Sequence, residues 1–337
     1  MFLSRLISVS ATCAIILAAS AASIRAESSP AKAAGPLAGI QLAITVDDIP
    51  ENGDTLKAQS RDSIARSIIR ALKTNGAAGV YGFANGYGLS ETPGEIAILK
   101  EWLRAGNPLG NHTYHHSSLD QVEAPAFEAN IAQLDVLLES LSSVSPLIAG
   151  RRVFRYPYLE EGNTLVKRDA VRGYLATNGY RIAEVTTDYN DWAWNGAYIR
   201  CTRLNDKQSI EWLRRHIIIN AESSIRSASE LAQKLFGRNV AQILLIHDCA
   251  LEALLLNKTL AKLRADGLTF ISLDEALRDP AYKINPNVTT EGGQSFFKQI
   301  AESRAVDTDA FVDTTYTVER LNAVCAQNTA KTPPPQQ

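Results

Sequence analysis

Gln41-Leu42-Ala43-Ile44-Thr45-Val46-Asp47-Asp48 is a short apolar run that ends on two carboxylates, and it sets the pattern for the folded region. A run of this length, rich in aliphatic residues and bounded by polar ones, reads as a strand buried on both faces, the kind found in parallel sheets. Similar runs recur at Ala78–Phe83, Pro108–Asn111, Arg152–Arg155, Tyr180–Val185, Val240–Ile246 and Leu268–Ile271. Stretches with helical periodicity separate them, at 60–73, 93–105, 126–141, 164–177 and 252–265, with a pair of helices covering 206–236. Strands alternating with helices predict an α/β fold built of β-α units around a parallel sheet. Thr92-Pro93-Gly94-Glu95 and Ser272-Leu273-Asp274-Glu275 read as capping boxes at helix starts.

The ends of the chain follow other rules. Arg5, an apolar and small-residue stretch to about Ala22, and Ser23-Ile24-Arg25-Ala26 predict a signal peptide over residues 1–26. The stretch is too short and too rich in Ala and Ser for a stable membrane anchor, so an exported, periplasmic or secreted protein is expected. Residues 27–38 read as a linker, 39–281 as one catalytic-sized domain, and 282–337 as an extension with a disordered Pro-rich tip. Helix is expected near Ser295–Ser303, and Phe296, Phe297 and Tyr316 are the residues that could pack the extension on the barrel. Net charge is −2, and removing the first 26 residues, which hold Arg5 and Arg25 and no acid, takes it to −4. With no basic run anywhere, nucleic acid is not an expected partner. Past the signal, Cys201, Cys249 and Cys325 allow one disulfide. Cys201 with Cys325 is the pairing we guess, and no Cys-x-x-Cys spacing suggests a thiolate metal site.

Active sites of parallel barrels sit at the carboxyl ends of the strands, so the residues that follow each run were considered as a set. Asp47-Asp48 follows the first, Asn111-His112-Thr113-Tyr114-His115-His116 the third, and Arg155-Tyr156-Pro157-Tyr158 the fourth. Asp188-Tyr189-Asn190-Asp191-Trp192 follows the fifth and Leu245-Ile246-His247-Asp248 closes the sixth. Each has a plain structural reading: turn carboxylates, a solvated histidine turn, a loop-anchoring arginine, a rim aromatic, a core histidine. His216, inside a helix, keeps that plain reading. Yet four of the five histidines and the paired acids fall at one rim. His112 and His116 are four apart, which lets two imidazoles reach one ion. Two imidazoles and a carboxylate with an open position form a hydrolytic metal site, where the ion acidifies water. A second carboxylate can then serve as base and another histidine as acid.

In this order the five segments resemble the polysaccharide deacetylases of carbohydrate esterase family 4, the NodB homology domain, over about Ile40 to Asp279. The resemblance implies a distorted (β/α) barrel of about seven parallel strands and removal of N-acetyl, less readily O-acetyl, groups from an acetylated polysaccharide or oligosaccharide. It implies one divalent ion, zinc first with cobalt or nickel also suited, held by Asp48, His112 and His116. Asp47 becomes the base, paired with Arg155. His247 becomes the acid, oriented by Asp191. The Tyr158 N–H donates to the oxyanion, and Trp192 and Leu245 line the acetyl pocket. This sequence departs from the family pattern in Val46, where an aromatic is usual, in Leu159-Glu160-Glu161-Gly162 after the third motif, and in a longer helical stretch from Cys201 to Arg238. His115 leaves a second ligand choice open, although the resemblance prefers His116. A glycan-binding barrel without turnover, and a hydrolase of non-sugar linear or cyclic amides, are the rival readings.

Overall fold

The computed structural model describes residues 35–326 apart from 51, 87–88, 90–93 and 148–151. The expected signal peptide, most of the linker, the start of the box at Thr92 and the Pro-rich tip lie outside the described residues. Eight strands are present: β1 (Gln41–Ile49), β2 (Tyr81–Ala84), β3 (Leu109–Asn111), β4 (Val153–Phe154), β5 (Arg181–Ile182), β6 (Thr187–Asp188), β7 (Gln242–His247) and β8 (Thr269–Ile271). They run in the order β5-β4-β3-β2-β1-β7-β6, every pair parallel, with β8 alongside the start of β1. β5 and β6 end the path without pairing to each other among the described residues. The sheet is therefore an arc, the distorted (β/α) barrel that the family resemblance implies.

β1 is the axis of this arc. Leu42–Asp47 pairs residue for residue with Gln242–His247 on one side, while β8 and then β2 flank it on the other. Its side chains are buried from Leu42 to Ile49, which is why the sequence there is apolar on both faces. Parallel register then gathers the strand ends at one rim: Asp47 lies beside His247, Asn111 beside Ala84 and Phe154, and Asp188 beside Leu245.

The helices are α1 (Arg61–Thr74), α2 (Glu95–Arg104), α3 (Ala124–Ser140), α4 (Leu165–Thr177), α5 (Asp191–Arg203), α6 (Lys207–Phe236), α7 (Ala250–Ala265), α8 (Leu273–Ala276), α9 (Phe296–Ser303) and α10 (Val318–Ala323). Ser272 caps α8 by accepting the Glu275 N–H at 3.2 Å. The expected helix pair over 206–236 is one helix. No Gly or Pro interrupts α6; Asp206 caps its start by accepting the Ser209 N–H, and Gly237 closes it at φ +66°. α5 and β6 were not anticipated. Ala193, Trp194, Asn195, Ala197, Tyr198, Ile199 and Cys201 are all buried, so α5 lacks the polar face that reveals a helix. β6 is too short to register as a run.

The segment after α8 packs on α6. Phe296 and Phe297 join Leu231 and Leu235 in one apolar cluster. Tyr316 packs its ring at a tilt against Trp194 and Trp212, and its hydroxyl meets His216 Nδ1 at 2.9 Å, a core role for that histidine. A disulfide joins Cys201 to Cys325 with Cα atoms 5.2 Å apart, fastening α10 to α5. Arg200 reinforces it by donating to the Leu321 and Val324 carbonyls.

Candidate active site

Asp48 sits one residue past the register of β1 with β7, where the pairing with β2 is irregular, and its backbone is in the left-handed region, φ +59°. That turn brings to one site two adjacent carboxylates that a continuing strand would point to opposite faces, Asp47 Oδ2 and Asp48 Oδ1 standing 3.8 and 3.5 Å from the same His112 Nε2. His116 also has positive φ, +50°, and folds back so that its ring centroid is 4.8 Å from that of His112. Asp48 Oδ1 stands 3.1 Å from His116 Nε2 and 3.5 Å from His112 Nε2. The ligand atoms of the three residues lie within 4.8 Å of one another, close enough to share one ion.

The surroundings suit that donor set. His112 Nδ1 donates to the Arg155 carbonyl at 2.8 Å, which leaves the lone pair on Nε2, the nitrogen facing Asp48. Burial lowers the pKa of both imidazoles to about 4, so each is neutral and free to ligate at neutral pH. Asn52 and Asn85 donate to the two Asp48 oxygens at 2.7 and 3.2 Å and aim them. His115 is exposed, its ring edge-on to Tyr114, and stands outside the cluster.

Asp47 is buried, and Nη1 of Arg155 reaches both its oxygens at 3.0 Å. Arg155 is itself fixed. It donates to the Ala183 carbonyl and Thr45 Oγ1, and its guanidinium lies 4.6 Å from the Phe83 ring centroid. Burial pushes Asp47 up to about 6 even though Arg155 pulls the other way, a value suited to a base working near neutrality.

Across the rim, Asp191 starts α5 and is fully buried. Its Oδ1 accepts from His247 Nδ1 at 2.6 Å and its Oδ2 from the His247 N–H at 2.6 Å. Burial alone would lower the His247 pKa, but the Asp191 carboxylate outweighs it and lifts the imidazole to about 10. The two titratable pairs are thus pushed toward opposite duties, one to accept a proton and one to hold it.

Asp47, Asp48, His112, His116 and His247 open on one cleft of about 1300 Å³, lined also by Tyr158, Trp192 and Leu245. Leu245 is buried, whereas Tyr158 and Trp192 are exposed, so two aromatic faces are presented to whatever enters. The Tyr158 ring packs against His116 at 4.4 Å between centroids. Its N–H donates to no acceptor among the described residues. Of the sequence-selected residues, Asp47, Asp48, His112, His116, Tyr158, Trp192, Leu245 and His247 line this cavity, while Arg155 and Asp191 lie buried behind it, bonded to Asp47 and His247. Sequence reasoning passed over Asn52 and Asn85, although Asn85 follows β2 and the strand-end rule would have reached it. It also passed over the far wall of the cleft, which α6 and residues 292–317 supply, including Asn220, Ser224, Lys298 and Asp313.

Residues 35–183 match the family model described as polysaccharide deacetylase. No curated protein matches. Among solved structures the chain is similar to a chitin deacetylase from the fungal pathogen Colletotrichum lindemuthianum, at 19% identity and TM-score 0.47, covering 73% of this chain and 89% of that one. It is also similar to a family 4 carbohydrate esterase from Streptomyces lividans in complex with acetate, at 20% identity and TM-score 0.44, covering 71% and 96%. A carbohydrate esterase family 4 pseudoenzyme from Bacillus anthracis is similar at 15% identity and TM-score 0.47, covering 72% and 66%.

Proposed function

We propose, from the match of residues 35–183 to the polysaccharide deacetylase family model, that this chain is a hydrolase of carbon–nitrogen bonds other than peptide bonds, removing the acetyl group from an N-acetylated sugar of a glycan. The observation that carries this reading is the pairing of one three-donor cluster with two oppositely tuned proton groups around a single cleft. Asp48, His112 and His116 would hold a divalent ion, zinc by preference. When bound, such an ion polarises a carbonyl and acidifies water.

The remaining work falls to the chain. Asp47, ionised above about pH 6 and braced by Arg155, takes the proton of the attacking water. The Tyr158 N–H donates to the oxygen on which charge develops as the amide carbon becomes tetrahedral. His247, kept protonated by Asp191, delivers its proton to the sugar nitrogen as the bond to carbon breaks. Leu245 and Trp192 enclose the acetyl methyl. O-acetyl esters need less from His247, since an alkoxide leaves more easily than an amide nitrogen.

Acetate release by the metal-reconstituted protein from chitin oligomers, peptidoglycan and acetylated xylan tests the reading. Release from an N-acetyl substrate is expected; turnover of small non-sugar amides alone would replace it. No helix among the described residues is long and apolar enough to cross a membrane. We place the protein outside the cytoplasm, with a mature chain starting between Ala22 and Glu27, and an intact Met1 on the native protein would overturn that.

A further inference from the structure

The loop that carries Tyr158 is held by a part of the chain well beyond the segment that matches the family. Tyr158 and Leu159 both have φ of +58°, two consecutive left-handed residues that are not glycine. L-residues adopt that conformation only where neighbours over-determine it. Here the neighbours are residues 290–299. Gly293 lies so close to this loop that a Cβ on it would stand 2.1 Å from the Tyr158 carbonyl oxygen. The Gln294 N–H donates to the Leu159 carbonyl at 3.3 Å, and the Thr290 N–H to the Gly162 carbonyl at 3.2 Å. Thr290 Oγ1 accepts the Glu161 N–H at 2.6 Å, and Gln299 Nε2 donates to Glu161 Oε1 at 2.8 Å. Thr290, Glu161 and Gln299 are almost completely buried, and Arg172 completes the cluster with a 2.5 Å bond to Glu161 Oε2. At its far end the same segment is fixed to the connection between β5 and β6 by the Phe296 N–H, which donates to the Val185 carbonyl at 2.6 Å.

We propose that Thr290–Gln299 is a positioning element for the reaction, clamping the 157–162 loop so that the Tyr158 N–H stands where charge develops. This rests on the deacetylase reading for the reaction itself, while the clamp is a statement about the loop. The Leu159-Glu160-Glu161-Gly162 departure is then explained. Where a glycine-rich turn could hold its own shape, this loop supplies a buried carboxylate for a distant segment to grip. The clamp is also why this extension reaches the catalytic cleft, which Gly292, Gly293, Gln294 and Ser295 line.

Two left-handed glycines provide the test. Gly293→Ala puts a methyl into the Tyr158 carbonyl, whereas Gly179→Ala, outside the clamp and the cleft, imposes the same left-handed strain, φ +73°, where nothing lies within 4 Å. Amide hydrogen exchange over 157–162, metal content, and kcat and KM on a chitin oligomer are measured for both. Gly293→Ala should exchange faster in that loop, keep one ion, and lose up to about 10²-fold in kcat with KM little changed, as a displaced oxyanion donor requires. Gly179→Ala should resemble the parent. Thr290→Val should show the same split in weaker form, and Thr290→Ser, which keeps the acceptor, should rescue it. Equal exchange in the two alanine variants, or a loosened loop with undiminished kcat, overturns the clamp. No acetate release by the parent protein overturns the deacetylase reading instead, and the exchange comparison still decides whether the segment holds the loop.

Discussion

Asp191 holds His247 by both ends, accepting the imidazole Nδ1 proton with one oxygen and the backbone N–H with the other, each at 2.6 Å. A carboxylate used this way fixes the tautomer, the ring direction and the charge together. Tyr189 donates to Glu252 at 2.9 Å close by, and burial lifts Glu252 to about 8, so at neutral pH Asp191 is not opposed by a second full charge from that acid.

The pH dependence follows. A base works when deprotonated, so kcat/KM should rise through about pH 6 as Asp47 ionises; an acid works when protonated, so it should fall through about pH 10 as His247 is lost. A dication between them favours the carboxylate and disfavours the imidazolium, which moves both limbs to lower pH. Asp191→Asn removes the charge that raises His247. Its alkaline limb should therefore move to lower pH while the acid limb stays, and a pH profile of the variant with unmoved limbs would contradict the pairing.

The metal assignment separates two neighbouring histidines. His116 faces Asp48 at 3.1 Å, while His115 is exposed. His116→Ala should weaken divalent-ion binding at least tenfold, as loss of one of three protein ligands implies, and His115→Ala should leave it unchanged. Calorimetric titration with zinc measures both, and reversed sensitivities would transfer the ligand role to His115.

How much of this was legible depended on whether a contact leaves a local signature. β1 and β7 were readable because both faces are buried and the apolar run is unbroken, and their terminal Asp47 and His247 were readable because parallel strands end at one rim. The paired histidines carried their own spacing. Asn52 and Asn85 did not stand out, since an amide after a strand looks like any turn residue. α5 was missed because it is buried nearly all round. Phe296, Phe297 and Tyr316 marked Thr290–Thr317 as a packed segment, but its polar grip was invisible for a different reason: it touches residues 100 or more positions away, such as Glu161 and His216, through single polar contacts with no period.

The disulfide should bear on stability more than on chemistry. Cys201 and Cys325 enclose 124 positions of chain, and closing so long a loop in the unfolded state can stabilise the fold by roughly 5 kcal/mol in the chain-entropy account. The double variant Cys201→Ser with Cys325→Ser should melt at markedly lower temperature than the parent and bind the ion as before at 25 °C. A melting temperature unchanged by the pair of substitutions would mean that the Arg200 bonds to the Leu321 and Val324 carbonyls suffice to dock α10.

The division of labour between Asp47 and His247 is the sharpest test of the mechanism. Asp47 is outside the three-donor cluster and is occupied by Arg155, so Asp47→Asn should keep the ion. The amide cannot take a proton from water, and turnover of an N-acetyl sugar should fall by roughly 10²–10⁴, the usual worth of a general base. His247→Ala should also keep the ion and lose a comparable factor on the same substrate. The two variants part on an activated acetyl ester, whose leaving group needs no proton. There the His247→Ala deficit should shrink toward nothing, because its proton is not required, while the Asp47→Asn deficit persists, because water must still be deprotonated. Metal analysis and parallel assays on the two substrates read every arm. Loss of the ion in both variants, or an Asp47→Asn protein that still deacetylates the sugar at near the parent rate, would show that the roles are wrongly distributed among these residues even where the family is right.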